Sequence, residues 1–277
     1  MEKVSNIIPY FKQQLSGIAD AREIISWAYI SIEHCLGYNR SDCIVHSNND
    51  ITTEVSDKIK QIVSDLKTKK PLQYILGETE FYGLRFKVDE HTLIPRPETE
   101  ELVDWILKEK FTSALDIGAG TGCIPIALAK NTNAIISAID ISADALLIAR
   151  ENAKINGVEI NFLQQDILKT TTLPKVDLIV SNPPYVLELE KKFMLVNVLD
   201  FEPHLALFVS DNNPLVFYKK IALLAMESLT EGGKLFFEIN ERFGKETVAM
   251  LSEMGFVDIK LKKDINDKDR MLKAIKK

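Results

Sequence analysis

The stretch Ala114-Leu115-Asp116-Ile117-Gly118-Ala119-Gly120-Thr121-Gly122 decides the fold, because a short strand runs here directly into a glycine-rich turn. Apolar residues at helical spacing follow it. Glycines at such a junction let the backbone turn tightly and let a ligand approach the main chain without a Cβ in the way. The usual dinucleotide pattern, G-x-G-x-x-G, needs its third glycine where Cys123 stands, but here that glycine comes one residue earlier. The turn is therefore either a binding loop for a different nucleoside ligand or only a tight connection.

Strands and helices continue to alternate towards the C terminus. Strands are predicted at 134–139, 160–163, 176–181 and 234–239, with helices at 124–130, 142–156 and 215–229 and another that ends near Gly255. Alternation of this kind implies helices on both faces of a mainly parallel sheet. Two closing strands, at 257–262 and 271–275, are separated only by a turn-rich segment. They predict an antiparallel hairpin at the sheet edge.

The chain before residue 93 has a different pattern. Apolar residues recur at helical spacing up to about residue 70, which predicts a small helical bundle whose apolar stripes are mainly core. Apolar residues then partly alternate around Gly83, which indicates a β-hairpin. Pro97 suits the first position of the next helix, and the acidic residues after it favour the positive end of that helix. We expect a helical domain at 1–70, a hairpin linker at 71–92 and an α/β domain at 93–277.

Composition limits the possible partners. The formal net charge is −6, whereas a protein that wraps a phosphate backbone generally needs a basic surface. The three cysteines (Cys35, Cys43 and Cys123) form no CxxC pair, which fits a reducing compartment and excludes a disulfide framework or a cysteine zinc site. No apolar stretch approaches the ~18–20 residues of a membrane span, and no secretory signal is present. We expect a cytoplasmic monomer with no metal, no membrane contact and no direct nucleic acid contact.

Two aspartates stand at the ends of successive predicted strands. Asp140 ends one strand, where a carboxylate can accept hydrogen bonds from both hydroxyls of a ribose. Asp166 follows the next strand, near the expected position of an adenine. Its carboxylate can accept a hydrogen bond from the exocyclic amine of that base. Ligands on open α/β sheets bind at the carboxyl ends of strands, so these aspartates and the glycine turn together predict a nucleoside pocket. Taken singly, each aspartate is better explained as a helix cap or a solvated turn.

The most specific signal is Ser181-Asn182-Pro183-Pro184-Tyr185, directly after a predicted strand. The prolines fix φ and remove two backbone donors, so the main chain offers only carbonyl acceptors there. A rigid set of acceptors suits a planar –NH2 group. We predict that the Asn182 side-chain oxygen and the Pro183 carbonyl accept the two N–H bonds of the substrate, while Tyr185 packs against the flat group. The simpler reading, a stiff loop, accounts for the prolines alone.

Together, the glycine turn, the acidic strand ends and Asn-Pro-Pro-Tyr resemble the class I methyltransferases that modify planar amino groups. Further segments resemble the release factor glutamine methyltransferases, the PrmC/HemK family. These segments are Pro71-Leu72-Gln73-Tyr74-Ile75-Leu76-Gly77, the stretch 93–101, Phe201-Glu202-Pro203-His204-Leu205-Ala206-Leu207, and Lys263-Asp264 with Asp269-Arg270. The resemblance extends from about Pro71 to the last residue, and the N-terminal part matches only in its helical pattern.

The resemblance implies a Rossmann-like, seven-stranded class I methyltransferase domain, with a small N-terminal helical domain and a connecting β-hairpin. It implies that S-adenosylmethionine donates a methyl group to the side-chain amide nitrogen of glutamine in the Gly-Gly-Gln loop of peptide chain release factors, leaving S-adenosylhomocysteine. An amide nitrogen is a poor nucleophile, so holding it close and correctly oriented supplies much of the rate. Acceptors on its N–H bonds also stabilise the positive charge that grows during attack. We further predict that residues 1–70 bind the release factor.

The family's site residues carry over by motif. The methionine part of the cofactor would be held by Gly118, Ala119, Gly120, Thr121 and Gly122. Asp140 would bind the ribose, and Asp166 with Ile167 would border the adenine. The glutamine amide would be bound by Asn182, Pro183, Pro184 and Tyr185, and Asn182 would also touch the cofactor. Two departures concern the loop, which reads Gly-Ala-Gly where Gly-Thr-Gly is common, and Ile167, where some relatives carry an aromatic residue. Arg96, Glu98 and Glu202 are candidates for supporting roles. No strong general base is expected, because the four histidines show no paired arrangement in the sequence.

Two other functions fit parts of the pattern. A DNA adenine N6-methyltransferase uses a similar loop on the same type of amino group, but it has to flip a base out of a duplex and normally brings a basic recognition surface. A non-enzymatic, translation-associated binding protein with a vestigial cofactor site is the second alternative. The intact Asp140, Asp166 and Asn182 argue against it.

Overall fold

The computed structural model describes residues 1–277, which form two compact units. The first unit consists of Met1–Gly77 with Leu195–Phe201, and the second of Glu78–Met194 with Glu202–Lys277. The expected boundary at residue 70 falls inside the first unit, because the helix after Pro71 buries Leu72 in the N-terminal core. No helix of the chain is both long and apolar enough to cross a membrane.

The N-terminal part of the first unit is helical, as predicted. A 3-10 turn, Val4–Asn6, precedes α1 (Ile7–Leu15), α2 (Ala21–Leu36), α3 (Arg40–Val45), α4 (Thr53–Leu66) and α5 (Leu72–Leu76). The side chains of Asp20, Asn39 and Thr52 accept hydrogen bonds from first-turn N–H groups, which fixes where α2, α3 and α4 begin. The apolar stripes of these helices meet in one core, which includes Phe11, Leu15, Ala28, Ile32, Ile59 and Val63.

The second unit begins with an antiparallel hairpin, β1 (Glu78–Phe81) and β2 (Leu84–Lys87). Phe81 and Phe86 are buried in the core of this unit. The Asn152 side chain accepts a hydrogen bond from the Lys87 backbone N–H at 2.6 Å and donates one to the Lys87 carbonyl at 3.0 Å. The hairpin is therefore an integral part of the second unit, not a free linker.

The remaining elements alternate along the chain. They are α6 (Pro97–Ile106), β3 (Ser113–Ile117), α7 (Cys123–Asn131), β4 (Ile135–Asp140), α8 (Ala143–Ile155), β5 (Asn161–Gln164), β6 (Val176–Ser181), β7 (Val186–Leu187), α9 (Val196–Phe201, part of the first unit), α10 (His204–Leu207), β8 (Phe208–Val209), α11 (Val216–Ser228), β9 (Leu229–Glu238), α12 (Gly244–Glu253), β10 (Phe256–Lys263) and β11 (Asp269–Lys276). Short 3-10 turns lie at Glu188–Phe193 and Glu241–Phe243. Pro97 is the first residue of α6, as its sequence position predicted.

A seven-stranded sheet in the order β10-β11-β9-β6-β3-β4-β5 forms the centre of the second unit. β5, β4, β3, β6 and β9 are parallel, and β11 and β10 continue antiparallel at one edge. Adjacent residues of β3 point to opposite faces, so Ala114 joins one apolar core and Leu115 joins the other. The predicted mainly parallel sheet, covered on both faces and closed by an edge hairpin, is confirmed.

The strand order fixes where a ligand can bind. The chain moves outward from β3 to β4 and β5, then returns to β6 on the other side of β3. Loops that leave β3 and β6 in opposite directions open a crevice at the carboxyl ends of these strands. The glycine turn follows β3 and Asn182 follows β6, so both stand at this switch point.

β9 begins earlier than the predicted residue 234. Val176 pairs with Leu229, and the register then shifts before Leu178 pairs with Lys234. Gly232 has a φ of +70°, which lets the backbone absorb the shift. Gly232 and Gly233 therefore lie within an irregular part of β9, whereas the sequence pattern placed the start of the strand after them.

Candidate functional site

A cavity of about 370 Å³ opens at the switch point. The carboxyl ends of four parallel strands contribute to its wall. The residues are Gly118–Thr121 after β3, Asp140 and Ser142 at the end of β4, Asp166 and Ile167 after β5, and Asn182–Pro184 after β6. Its volume lies within the range of about 300–1,000 Å³ that small-molecule sites occupy. The chain therefore brings most of the predicted site residues to one cavity.

The glycine turn is held in place by the neighbouring strand. Gly118 and Gly120 have φ values of +85° and +52°, a region that favours glycine. The Gly118 and Ala119 N–H groups donate to the Ile139 carbonyl, at 2.9 and 3.0 Å. A Cβ on Gly118 would lie 4.0 Å from the Asn182 carbonyl oxygen. The glycine turn and the Asn-Pro-Pro segment are therefore close neighbours.

Gly122 differs in position from the rest of the glycine turn. It does not line the cavity, although the residues before and after it do. It is the N-cap of α7 with a φ of +79°, and a Cβ there would lie 3.0 Å from Ile126 Cδ1 and 3.2 Å from Ala149 Cβ. The predicted cofactor contact of Gly122 stays a prediction, and the close packing of α7 against α8 gives this glycine a structural reason of its own.

Asp140 and Asp166 both line the cavity, in different environments. The Asp140 carboxylate accepts the Gly120 N–H at 2.8 Å and the Ser142 N–H at 2.9 Å. Burial raises its pKa, and these two N–H groups oppose the shift. Asp166 pairs with Lys169 at 3.0 Å, and mainly through this bond its pKa is lowered. A carboxylate has about four lone-pair sites, so Asp140 keeps acceptor capacity for a ligand's hydroxyl groups.

Asp116, in β3 just before the glycine turn, is a buried carboxyl without a well-formed hydrogen bond on either oxygen. Burial raises its pKa well above the ordinary aspartate value, the nearby Asp140 adds to the shift, and the Ile117 backbone N–H opposes it more weakly. The uncharged form of Asp116 is therefore favoured in the folded chain. It does not line the cavity.

Asn182, Pro183 and Pro184 form the acceptor side of the cavity. The Asn182 Nδ2 group donates to Thr99 Oγ1 at 3.4 Å. This bond directs the amide nitrogen towards α6 and leaves the side-chain oxygen of Asn182 as the group available to a ligand. Ser181, the last residue of β6, donates its hydroxyl to the Ile117 carbonyl at 2.5 Å, which ties the ends of β6 and β3 together.

Tyr185 does not line the cavity, and the packing of its ring on a flat substrate group stays a prediction. Its hydroxyl donates to Glu238 Oε1 at 3.1 Å and accepts from Arg270 Nη1 at 3.4 Å. Burial, and next the charge of Glu238, raise the pKa of this hydroxyl. The hydroxyl therefore has its hydrogen-bond partners behind the Asn-Pro-Pro segment.

Sequence reasoning missed Glu238 and Thr99. Glu238 is the last residue of β9, 1% exposed, and it accepts the Thr99 hydroxyl at 2.6 Å through Oε2. The available signals were a single acidic residue after the apolar run Leu235–Phe237 and a hydroxyl on the apolar face of α6. Arg270 belongs to a segment that the resemblance had marked, and its contact with Tyr185 gives that segment a structural reason.

Arg96 and Glu202 fix the outer wall of the cavity. Arg96 Nη2 pairs with Glu202 Oε1 at 2.6 Å, and the Ile94 N–H donates to Glu202 Oε2 at 3.3 Å. The Glu202 side chain is 1% exposed, while Arg96 lines the cavity. The third candidate, Glu98, does not line it and accepts instead from Asn266 Nδ2 at 3.2 Å in the first turn of α6.

Two further residues in the wall bear on possible chemistry. His91 lines the cavity, and its Nδ1 lies 3.1 Å from Asp89 Oδ1, a pairing that the sequence reading did not include. Cys123 also lines it, and burial raises the pKa of its thiol to about 12. A thiol with this pKa is not a thiolate at neutral pH, which excludes Cys123 as a nucleophile.

Comparison with known proteins gives consistent results. Residues 97–201 match the family model of the methyltransferase small domain, and residues 8–77 match that of the PrmC N-terminal domain. A release factor glutamine methyltransferase of Flavobacterium psychrophilum is 49% identical over 98% of this chain and 98% of its own length. Its counterpart from Bacteroides thetaiotaomicron is 41% identical over 98% of this chain and 99% of its own length.

Among solved structures, a methyltransferase from Pyrococcus furiosus aligns with a TM-score of 0.54 at 18% identity, over 81% of this chain and 99% of its own. At this identity the likeness concerns the fold alone, which is that of the class I methyltransferases. The two family models and the full-length relatives carry the assignment further. The chain belongs to the release factor glutamine methyltransferase family.

Proposed function

We propose that this protein transfers a methyl group from S-adenosylmethionine to the side-chain amide nitrogen of the glutamine in the Gly-Gly-Gln motif of peptide chain release factors. The observation that carries the proposal is the single cavity in which the glycine turn and Asp140 meet Asn182-Pro183-Pro184. One half of that cavity suits a nucleoside and the other a planar –NH2 group. The printed names of the full-length relatives agree with this activity.

The residues present fit an adenosyl cofactor. Positive φ at Gly118 and Gly120 opens the main chain to close approach, and Asp140 keeps lone pairs for ribose hydroxyls. Ile167 and Leu168 give an apolar border beside Asp166, where an adenine would lie. When bound, S-adenosylmethionine supplies an electrophilic methyl group on a sulfonium.

The acceptor residues act by binding and orienting. The side-chain oxygen of Asn182 and the carbonyl of Pro183 accept the two N–H bonds of the substrate amide. This directs the nitrogen lone pair towards the donor and supplies much of the rate through orientation. The same oxygens stabilise positive charge on the nitrogen as the new bond forms. Tyr185 acts from behind the loop, through its bonds to Glu238 and Arg270.

We extend the proposal to partners and location. The N-terminal helical unit holds the body of the release factor, and two adjacent exposed apolar residues on α3, Ile44 and Val45, support such a contact. The protein works as a monomer in the cytoplasm, without direct nucleic acid or membrane contact. The net charge of −6 and the three free cysteines agree with this expectation.

Acceptor competition tests the function against its alternatives. The protein is incubated with methyl-labelled S-adenosylmethionine and either a release factor or duplex DNA. We expect label on the release factor alone, because a protein that binds duplex DNA and flips out a base needs a basic surface. Label on the DNA would indicate the adenine N6-methyltransferase. Absence of label on both, with no thermal stabilisation by S-adenosylhomocysteine, would indicate the non-enzymatic binding protein.

A further inference from the structure

Five polar side chains form a hydrogen-bonded chain that ends at the cavity, where Thr99 and Asn182 are part of the wall. Arg270 donates to Tyr185 at 3.4 Å, and Tyr185 donates to Glu238 at 3.1 Å. On the other side, Asn182 donates to Thr99 at 3.4 Å, and Thr99 donates to Glu238 at 2.6 Å. Both halves therefore donate towards Glu238, which stands at the centre as the acceptor.

We propose that Glu238 and Thr99 are positioning residues that set the direction of this chain and thereby turn the side-chain oxygen of Asn182 towards the substrate. The inference rests on the proposed function, in which that oxygen binds the acceptor amide. Neither Glu238 nor Thr99 takes part in a bond that is made or broken.

The direction follows from counting protons. A guanidinium has only donors, so Tyr185 accepts from Arg270 and has its own proton left for Glu238. A threonine hydroxyl carries one proton, and that of Thr99 is directed to the other carboxylate oxygen of Glu238. The oxygen of Thr99 can then only accept, and the group of Asn182 that can donate to it is the NH2.

Burial makes this arrangement strict. Glu238 is 1% exposed and does not line the cavity, so solvent is a poor replacement for a missing donor to its carboxylate. Thr99 lines the cavity but is only 3% exposed. Burial raises the pKa of Glu238, while bonds from Thr99 and Tyr185 and the charge of Arg270 oppose the shift and favour the ionised form. Tyr218 adds a further tie by donating its hydroxyl to the Glu238 carbonyl at 3.1 Å.

The consequence is selectivity for the acceptor group. An Asn182 side chain that presents its oxygen accepts an N–H of a planar –NH2 group. The same oxygen disfavours a carboxylate, which offers no proton at neutral pH. The orientation of one buried amide thus contributes to the preference for glutamine over glutamate.

The first test compares two substitutions at one position. Thr99→Val removes the hydroxyl at nearly constant volume, whereas Thr99→Ser retains it. With a release factor as substrate, we expect Thr99→Val to lower kcat by about 10-fold to 100-fold, because the acceptor amide is no longer held in one orientation. The KM for the release factor and the affinity for S-adenosylhomocysteine should change little, and Thr99→Ser should stay within about threefold of the wild type.

Thr247→Val is the matched control. Thr247 is a fully buried threonine in α12, whose hydroxyl donates to the Phe243 carbonyl at 2.7 Å. Its loss should cost stability but leave kcat unchanged. Equal losses of kcat in Thr99→Val and Thr99→Ser, or no loss in either, would overturn the inference.

A second test addresses direction itself and does not depend on Thr99→Val folding. Asn182→Asp places a second acceptor next to Thr99, whose one proton cannot serve both the new carboxylate and Glu238. Combining it with Glu238→Gln restores a donor at the far end, since the glutamine NH2 can donate to Thr99 and free its hydroxyl for the aspartate. We expect the double variant to exceed Asn182→Asp in kcat by about tenfold, and a double variant no more active than Asn182→Asp would contradict the inference.

The activity of the wild type distinguishes a failure of the proposed function from a failure of the positioning role. If the wild type does not methylate a release factor, the proposed function fails and Asn182 has no acceptor to orient. If the wild type methylates it, and Thr99→Val behaves like the Thr247→Val control, the function stands and only the positioning role is refuted.

Discussion

Asp140 connects the glycine turn to the start of α8, because its carboxylate accepts hydrogen bonds from backbone N–H groups of both. Hydrogen bonds to a charged group contribute about 1.5–3 kcal/mol each. We expect Asp140→Ala to weaken S-adenosylhomocysteine binding by about 10-fold to 100-fold or more, measured by titration calorimetry. Asp144→Ala, an exposed carboxylate in the first turn of the same helix, is the control and should bind normally. Unchanged affinity in Asp140→Ala would remove Asp140 from the cofactor site.

Asp116 predicts a pH dependence of stability. Its pKa is raised in the folded chain, so folding takes up a proton wherever the unfolded aspartate, with a pKa of about 3.9, has lost it. Its contribution to stability is complete below that value and is lost as pH rises towards the folded pKa. We expect the urea midpoint of the wild type, without cofactor, to fall relative to that of Asp116→Asn as the pH rises above about 4. A difference between the two midpoints that does not change with pH would show that Asp116 ionises normally.

At the residue scale, the sequence was sufficient where the cavity wall is formed by a local motif. Asn182 and the glycine turn were expected at one site because their neighbours along the chain carry the pattern, and both line the cavity. Thr99 and Glu238 were missed because their contact joins positions 139 residues apart, which no local pattern reveals. Tyr185 was identified, but its orientation depended on Glu238 and Arg270 and so could not be predicted.

At the element scale, Gly122 lies where α7 packs against α8. Gly122→Ala meets both an unfavourable φ of +79° and close contacts with Ile126 and Ala149. Gly157→Ala is a matched control, because its φ of +65° is similar and nothing lies within 4 Å of the new Cβ. Both variants should lose about 1–2 kcal/mol of unfolding free energy through the backbone conformation. Gly122→Ala should lose a further ~1–3 kcal/mol through overpacking, as measured by urea unfolding. Equal losses would mean that the helices move apart freely.

Element boundaries were predictable where the sequence carries a cap. Ser142 accepts the Ala145 N–H and begins α8, and Pro97 begins α6, both at the expected positions. β9 was placed too late, because its register shift depends on pairing with β6 and not on its own residues. The helix Val196–Phe201 was not identified, and it belongs to the first unit, far from that unit's other residues in sequence.

At the scale of the whole molecule, the proposed division of labour assigns the release factor to the N-terminal unit. Ile44 and Val45 are 75% and 74% exposed. We expect the double change Ile44→Ser/Val45→Ser to raise the KM for an intact release factor roughly fivefold or more, as loss of an interface anchor does, with unchanged S-adenosylhomocysteine affinity. Ile135→Ser is the matched control, because Ile135 is also 75% exposed but starts β4 in the second unit. An unaffected KM would place the contact elsewhere.

The most direct test of the central claim is mass spectrometry of a release factor after incubation with the protein and S-adenosylmethionine. We expect one added methyl group, located by fragmentation on the side chain of the glutamine in the Gly-Gly-Gln motif. We also expect that mass to be lost with Asn182→Ala, while S-adenosylhomocysteine still stabilises the variant. A methyl group on any other residue, or full methylation by Asn182→Ala, would refute the proposed role of this loop.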